Sequence, residues 1–146
     1  MNETIDKTED SLSNASGSLQ TTLRVLVVDD NVASAKMMGW AIELLGHDIR
    51  TANDGADALA TALDFRPHVI LLDLSLPGLN GYELCRIMRA EHGFEDTLFI
   101  AQTGWGDAEH RKRSREAGFV LHLLKPVDMV KLEGLLKARA TAEAVD

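Results

Sequence analysis

Cysteine is almost missing from this 146-residue chain: Cys85 stands alone, so no internal disulfide can form. A lone cysteine is ordinarily a small core residue on a helix, and its isolation suits a reducing compartment. Positive charge is scarce too, with 15 Lys and Arg against 23 Asp and Glu and a formal net charge of -8. Nucleic-acid phosphates and anionic lipids attract clustered net positive charge, so neither is an expected partner. No stretch approaches the roughly 18 apolar residues of a membrane span. The amino terminus has acidic and hydroxyl residues where a signal peptide has a basic segment and an apolar core. A cytoplasmic location is the default expectation. The five histidines show no metal-ligand spacing. A chain of this length accommodates one domain plus tails.

What is present is an alternation. Residues 1–22 are rich in Ser, Thr, Asn, Asp and Glu, with Ile5, Leu12 and Leu19 isolated, and read as a disordered tail. From Leu23 onward, short aliphatic runs alternate with longer amphipathic stretches, the pattern of successive βα units. The spacing predicts strands at Arg24 to Val28, Asp48 to Ala52, Val69 to Leu72, Leu98 to Gln102 and Val120 to Leu124. Val69 to Leu72 has no polar alternation and reads as a central strand covered on both faces. Helices are predicted from Val32 to Leu45, ended by Gly46, then from Ala56 to Leu63, Tyr82 to Ala90, Asp107 to Ala117 and Val127 to Ala138. In the first of these, Met37, Met38, Trp40, Ala41, Leu44 and Leu45 form a broad apolar face that core packing would explain. Strict alternation fits an α/β doubly wound, five-stranded parallel sheet of flavodoxin-like order 2-1-3-4-5. The domain is expected over residues 23–138, with a frayed tail at 139–146.

Polar residues then collect at one edge. Asp29 and Asp30 close the first strand and Asp73 the third, and parallel neighbours bring their carboxylates to the carboxyl-terminal edge, where ligands bind in such sheets. Two like charges about 4 Å apart repel by roughly 4 kcal/mol at an effective dielectric near 20, so a divalent metal or a shared proton is expected among them. Thr103 and Lys125 follow the fourth and fifth strands. Magnesium takes oxygen ligands such as these carboxylates, and an ammonium with a hydroxyl completes a cradle for a phosphoryl group. Singly, Asp29 and Asp30 read as helix caps, Thr103 as a turn residue and Lys125 as a solvated amine. Their joint placement at successive strand ends favours a site.

Asp29 and Asp30 in VVDDN, Asp73 in LLDLSLPGLNG, Thr103 in AQTG and Lys125 in LLKPVD resemble the receiver domain of two-component response regulators, over about residues 23–138. The resemblance implies that Asp73 takes a phosphoryl group from a histidine kinase or a histidine phosphotransfer protein. It implies that Asp30 and Asp73 bind Mg2+ directly, Asp29 through water, and that the Ser75 carbonyl supplies a further ligand. Lys125 would pair with the phosphoryl oxygens, Thr103 would hydrogen-bond one of them, and the bond from Lys125 to Pro126 is often cis in that family. Two positions depart from the pattern. His122 stands where an aromatic residue is common, so the readout is expected to be altered or pH-dependent. Trp105 is bulky beside the route of the attacking water, so slow loss of phosphate is expected.

With few residues after the last helix, the signal is expected to leave by protein contact to a downstream target, from a monomer or a phosphorylation-dependent dimer. The segments TGWG and HLLKPVD resemble receivers of hybrid histidine kinases, so a piece of a longer protein remains open. The basic run His110 to Arg115 reads as a solvated face. A phosphatase of the haloacid-dehalogenase type carries a DxD motif after strand one, whereas Asn31 and Val32 follow here. A flavin-binding protein of the same topology lacks support because no Ser/Thr/Gly-rich loop follows that strand. A receiver-like interaction module that works without phosphate is the remaining alternative to a phosphoacceptor switch that is not a turnover enzyme.

Overall fold

A computed structural model describes residues 22–76, 80–104 and 108–145, with side chains described to residue 141. In chain order the elements are β1 (Arg24–Val28), α1 (Val32–Leu44), β2 (Asp48–Ala52), α2 (Gly55–Phe65), β3 (Val69–Asp73), α3 (Gly81–Glu91), β4 (Leu98–Thr103), α4 (Ala108–Ala117), β5 (Phe119–Leu124) and α5 (Met129–Val145). Residues Leu23–Met129 make one compact unit, and α5 from Val130 falls in a second. No described helix is long and apolar enough to cross a membrane.

The five strands form one sheet in the order β2-β1-β3-β4-β5, with every neighbouring pair parallel. Each residue of β3 is buried, as an unbroken apolar run at the sheet centre requires. Alternate residues serve the two faces. Leu26, Val28, Ile70, Leu72 and Phe99 join a core with Ala58 and Ala62 of α2 and with Leu84 and Met88 of α3. On the opposite face, Gly39 of α1 lies against Ile49 of β2, where an added Cβ would come within 3.1 Å of Ile49 Cδ1. Phe99 and Phe119 meet edge to face at 6.2 Å between centroids, securing β4 to β5.

The edges of the elements have identifiable causes. Asn31, not either preceding aspartate, is the N-cap of α1: its side chain accepts from the Ser34 amide at 2.9 Å. Asp29 and Asp30 are thereby left for other work. Gly46 follows α1 with φ +99, the left-handed conformation that favours glycine. Gly81 at the start of α3 is needed for closeness, since a Cβ there would lie 2.9 Å from Leu74 Cα. It brings α3 directly against the backbone that leaves β3.

Two expectations are corrected. α1 buries Ala35, Gly39 and Ile42, whereas Met37, Trp40 and Leu44 are 66%, 61% and 88% exposed. Core packing therefore does not account for that apolar face. The last helix begins at Met129 rather than Val127 and continues to Val145 instead of fraying after Ala138. Its final turns contain neither Gly nor Pro and are rich in alanine, a strong helix former. Smaller shifts extend β4 to Thr103, start β5 at Phe119 and begin α2 at Gly55.

Candidate functional site

The register of the central strands builds the site. Val28 of β1 pairs with Leu72 of β3, so the next residues, Asp29 and Asp73, leave the sheet side by side. Both are buried, at 3% exposure each. The Asp29 amide still donates to the Ala52 carbonyl at 3.0 Å, and Asn53 Nδ2 donates to the Asp29 carbonyl at 2.9 Å. Asp29 Oδ1 accepts from the Asn31 amide at 3.0 Å, and Asp73 Oδ1 accepts from the Ser75 amide at 2.9 Å. These are the same side-chain turn, closed two residues on, made at the ends of adjacent strands. Each carboxylate thus has one oxygen fixed by its own loop.

The other oxygens converge on one cation. Lys125 Nζ lies 2.7 Å from Asp73 Oδ2 and 3.4 Å from Asp29 Oδ2. The lysine reaches them because β5 ends at Leu124, in register with Thr103 of β4, and the Lys125 amide donates to the Thr103 carbonyl at 2.8 Å. The peptide from Lys125 to Pro126 is cis. Asp30, exposed to solvent, completes a trio with one oxygen from each carboxylate, all within 4.8 Å of one another.

Charge and burial act against each other here. Burial pushes the Asp29 carboxyl up, the Asn31 amide and Lys125 pull it down, and the Asp73 charge adds to the rise, leaving it above its usual value. Burial would lower the Lys125 ammonium. Its hydrogen bond to Asp73 and the charges of Asp73 and Asp29 outweigh that and raise it instead. Lys125 thus serves two buried carboxylates at once.

The remaining predicted residues divide. Thr103 is buried at the end of β4, one residue beyond the partner of Asp73. Ser75 is exposed and joins the site through its backbone amide. His122 lies on β5 in register with Ala101, and its Nδ1 is 2.9 Å from Ser114 Oγ of α4. It is thus engaged with α4. Trp105 lies outside the described residues.

Sequence reasoning passed over several contributors. Gln102 pairs with Asp73 across β3 and β4 and is buried, yet it reads in sequence as an ordinary strand end. Asn53 supports Asp29 from the end of β2, and its place in the run Ala52 to Gly55 was the available signal. Ser114 is the buried polar residue of α4, hidden inside a basic run. A groove of about 390 Å3 opens beside the carboxylates, with Asp29, Met37, Met38, Ala41, Lys125 and Pro126 among its lining residues.

A doubly wound parallel sheet with two buried carboxylates, a third acid and a lysine at its carboxyl edge defines a flavodoxin-like α/β protein with an acidic pocket. Residues 25–137 match the response regulator receiver domain, and the chain belongs to that family. Such domains are switches of two-component signalling. Among curated relatives, the DNA-binding response regulator MtrA of Mycolicibacterium smegmatis is 36% identical over 107 residues, which are 73% of this chain and 47% of that protein. The chain spans about half the length of the MtrA relatives it matches. Protein PilG of Pseudomonas aeruginosa is 31% identical over 116 residues, 80% of this chain and 86% of that protein. Among solved structures, the chemotaxis response regulator CheY4 of Vibrio cholerae superposes with a TM-score of 0.75 at 28% identity, covering 82% of this chain and 99% of that one.

Proposed function

We propose that this chain is a phosphoacceptor signalling switch that takes a phosphoryl group onto Asp73 from a histidine kinase or a histidine phosphotransfer protein. The observation that carries the reading is the contact of Asp73 Oδ2 with Lys125 Nζ at 2.7 Å, at a carboxylate whose other oxygen is held by the Ser75 amide. An Asp73 oxygen forms the new bond to phosphorus as the bond from phosphorus to the donor imidazole nitrogen breaks, and the imidazole leaves with the electron pair. Lys125 then exchanges its carboxylate contact for the incoming phosphoryl oxygens, and the Thr103 hydroxyl donates to one of them.

Asp29, Asp30 and Asp73 with the Ser75 carbonyl suit Mg2+, because carboxylate oxygens within 4.8 Å of one another are the hard donors that ion takes. When bound, Mg2+ neutralises charge on the phosphoryl group. The aspartyl phosphate brings about -1.5 to -2 charges to the pocket. That draws on Lys125 and Thr103, which sit at the ends of β5 and β4, and biases the face built from β5 and α4 toward a target protein. The group is accepted and slowly lost, with Trp105 restricting water and His122 modifying the readout. Signalling then proceeds by protein contact in the cytoplasm.

Intact mass after incubation with acetyl phosphate and Mg2+ tests this. One added phosphoryl group, absent in Asp73→Asn and in the presence of a chelator, is the expected result. No gain from acetyl phosphate or from a phosphorylated histidine phosphotransfer protein would refute it and favour a module that works without phosphate.

A further inference from the structure

α4 buries little and turns its charge outward. Ser114 and Ala117 are its buried residues, whereas Arg111, Lys112, Arg113 and Arg115 are exposed. These cations are unevenly placed. At about 100° per residue, Arg111, Lys112 and Arg115 share one flank of the helix, and Glu109, Arg113 and Glu116 share the other. The mixed flank is turned toward α3: the Arg113 guanidinium lies over the Tyr82 ring at 4.3 Å, and Arg113 and Glu116 border one cleft with Tyr82. The flank with three cations and no acid is therefore the one on the side of β5, where Ser114 Oγ meets His122 Nδ1 at 2.9 Å.

β5 continues that surface. Val120, His122 and Leu124 alternate onto the face that α4 covers, and Val120 and Leu124 are 54% and 45% exposed on either side of the His122 contact. β5 is an edge strand of the sheet. Large aliphatic side chains left exposed on such an edge mark a contact surface.

The cations identify its occupant. Lys112 and Arg115 have no carboxylate partner among the described residues. Elsewhere the cations are engaged, Arg50 and Arg86 with Asp64 and Glu83, Arg24 and Arg66 with backbone carbonyls. In a chain of net charge -8, a local group of uncommitted cations is the part that attracts an acidic partner. A second copy using the same face would bring the same three cations with it.

We propose that the flank of α4 bearing Arg111, Lys112 and Arg115, together with Val120 and Leu124 of β5, docks an acidic segment of a partner protein. Carboxylates of the segment meet the guanidinium and ammonium groups, and an aliphatic side chain between them covers Val120 and Leu124. The inference rests on the signalling-switch reading in one respect, that this partner is the target. A segment that spans both elements binds according to how α4 lies against β5, which the contact of Ser114 with His122 sets.

Amide NMR of the full, unphosphorylated chain, titrated with a short synthetic peptide carrying Leu between pairs of Glu, tests this. No phosphoryl donor enters, so the outcome is separate from that of the mass experiment. Shifts confined to α4 and β5 are expected, and the same peptide with Lys in place of Glu should cause none. Lys112→Glu combined with Arg115→Glu should raise the dissociation constant about tenfold or more. Val120→Ser should weaken binding as well, and so should 1 M salt, where the screening length falls to about 3 Å. These side chains are exposed, so circular dichroism should confirm an unchanged fold. Absence of shifts with the acidic peptide would overturn the proposal, as would shifts on other elements or binding indifferent to salt and to the charge reversals. Shifts of α4 and β5 that grow with protein concentration before peptide is added would overturn it too, in favour of a second copy on that face.

Discussion

Lys125→Met removes the cation that faces both buried carboxylates, leaving a side chain of similar length without charge. Asp29 and Asp73 keep oxygens within 4.8 Å of each other. At that separation two full charges repel by about 3.5 kcal/mol at an effective dielectric near 20 and by about 1 kcal/mol at that of bulk water. The Lys125 side chain is 37% exposed, so water reaches the cluster and the effect falls between those limits. The variant should lose about 1 to 3 kcal/mol of unfolding free energy at neutral pH. A proton can substitute for the missing charge. Without Lys125, whose charge pulls it down, the folded Asp29 carboxyl rises further above its ordinary value of 3.8 and binds a proton more tightly than in the unfolded chain. The folded state then holds more protons than the unfolded state between the two pKa values. The associated stability is present at low pH and is lost as pH rises through the elevated folded value. The native protein has a weaker form of the same slope through Asp29, already raised by burial. Urea denaturation followed by circular dichroism at pH 7.5 and pH 5 should show the deficit of Lys125→Met shrinking at the lower pH. Millimolar Mg2+ should shrink it at the higher one. An equal deficit at both pH values, unmoved by Mg2+, would refute the coupling of these carboxylates.

Two further outcomes follow from the supporting shell. Gly81→Ala drives a Cβ to 2.9 Å from Leu74 Cα, a backbone atom that can yield only by moving the loop after Asp73. It should cost about 1–3 kcal/mol in denaturant titrations and slow phosphorylation, and unchanged values of both would mean that the loop gives way freely. Ser114→Ala removes the 2.9 Å contact to His122 and should cost about 1 kcal/mol. Amide exchange should then rise in α4 while the central strands stay protected, and unchanged exchange in α4 would show that other contacts hold that helix.

The parts of the fold readable from sequence are those in which burial and pattern coincide. Val69 to Leu72 is apolar without interruption because both of its faces are covered, so strand and central position follow together. Asp29, Asp73, Thr103 and Lys125 were readable as a set because parallel register carries consecutive strand ends to one edge. α1 was misread for a physical reason: periodicity identifies apolar positions, and on a helix apolar on two opposite sides it cannot tell which side the protein itself covers. The contact of Ser114 with His122 depends on how α4 lies against β5, which local sequence does not encode. The full length of α5 was missed because its final residues carry no stop signal that would mark an end.

The most direct measurement is to locate the phosphoryl group. Reduction of the acetyl phosphate-treated protein with tritiated borohydride converts an aspartyl phosphate to homoserine, and peptide sequencing identifies the labelled position. The account predicts label at position 73 alone, abolished by a chelator and in Asp73→Asn. Label at position 29 or 30, or at a residue outside the trio, would contradict it.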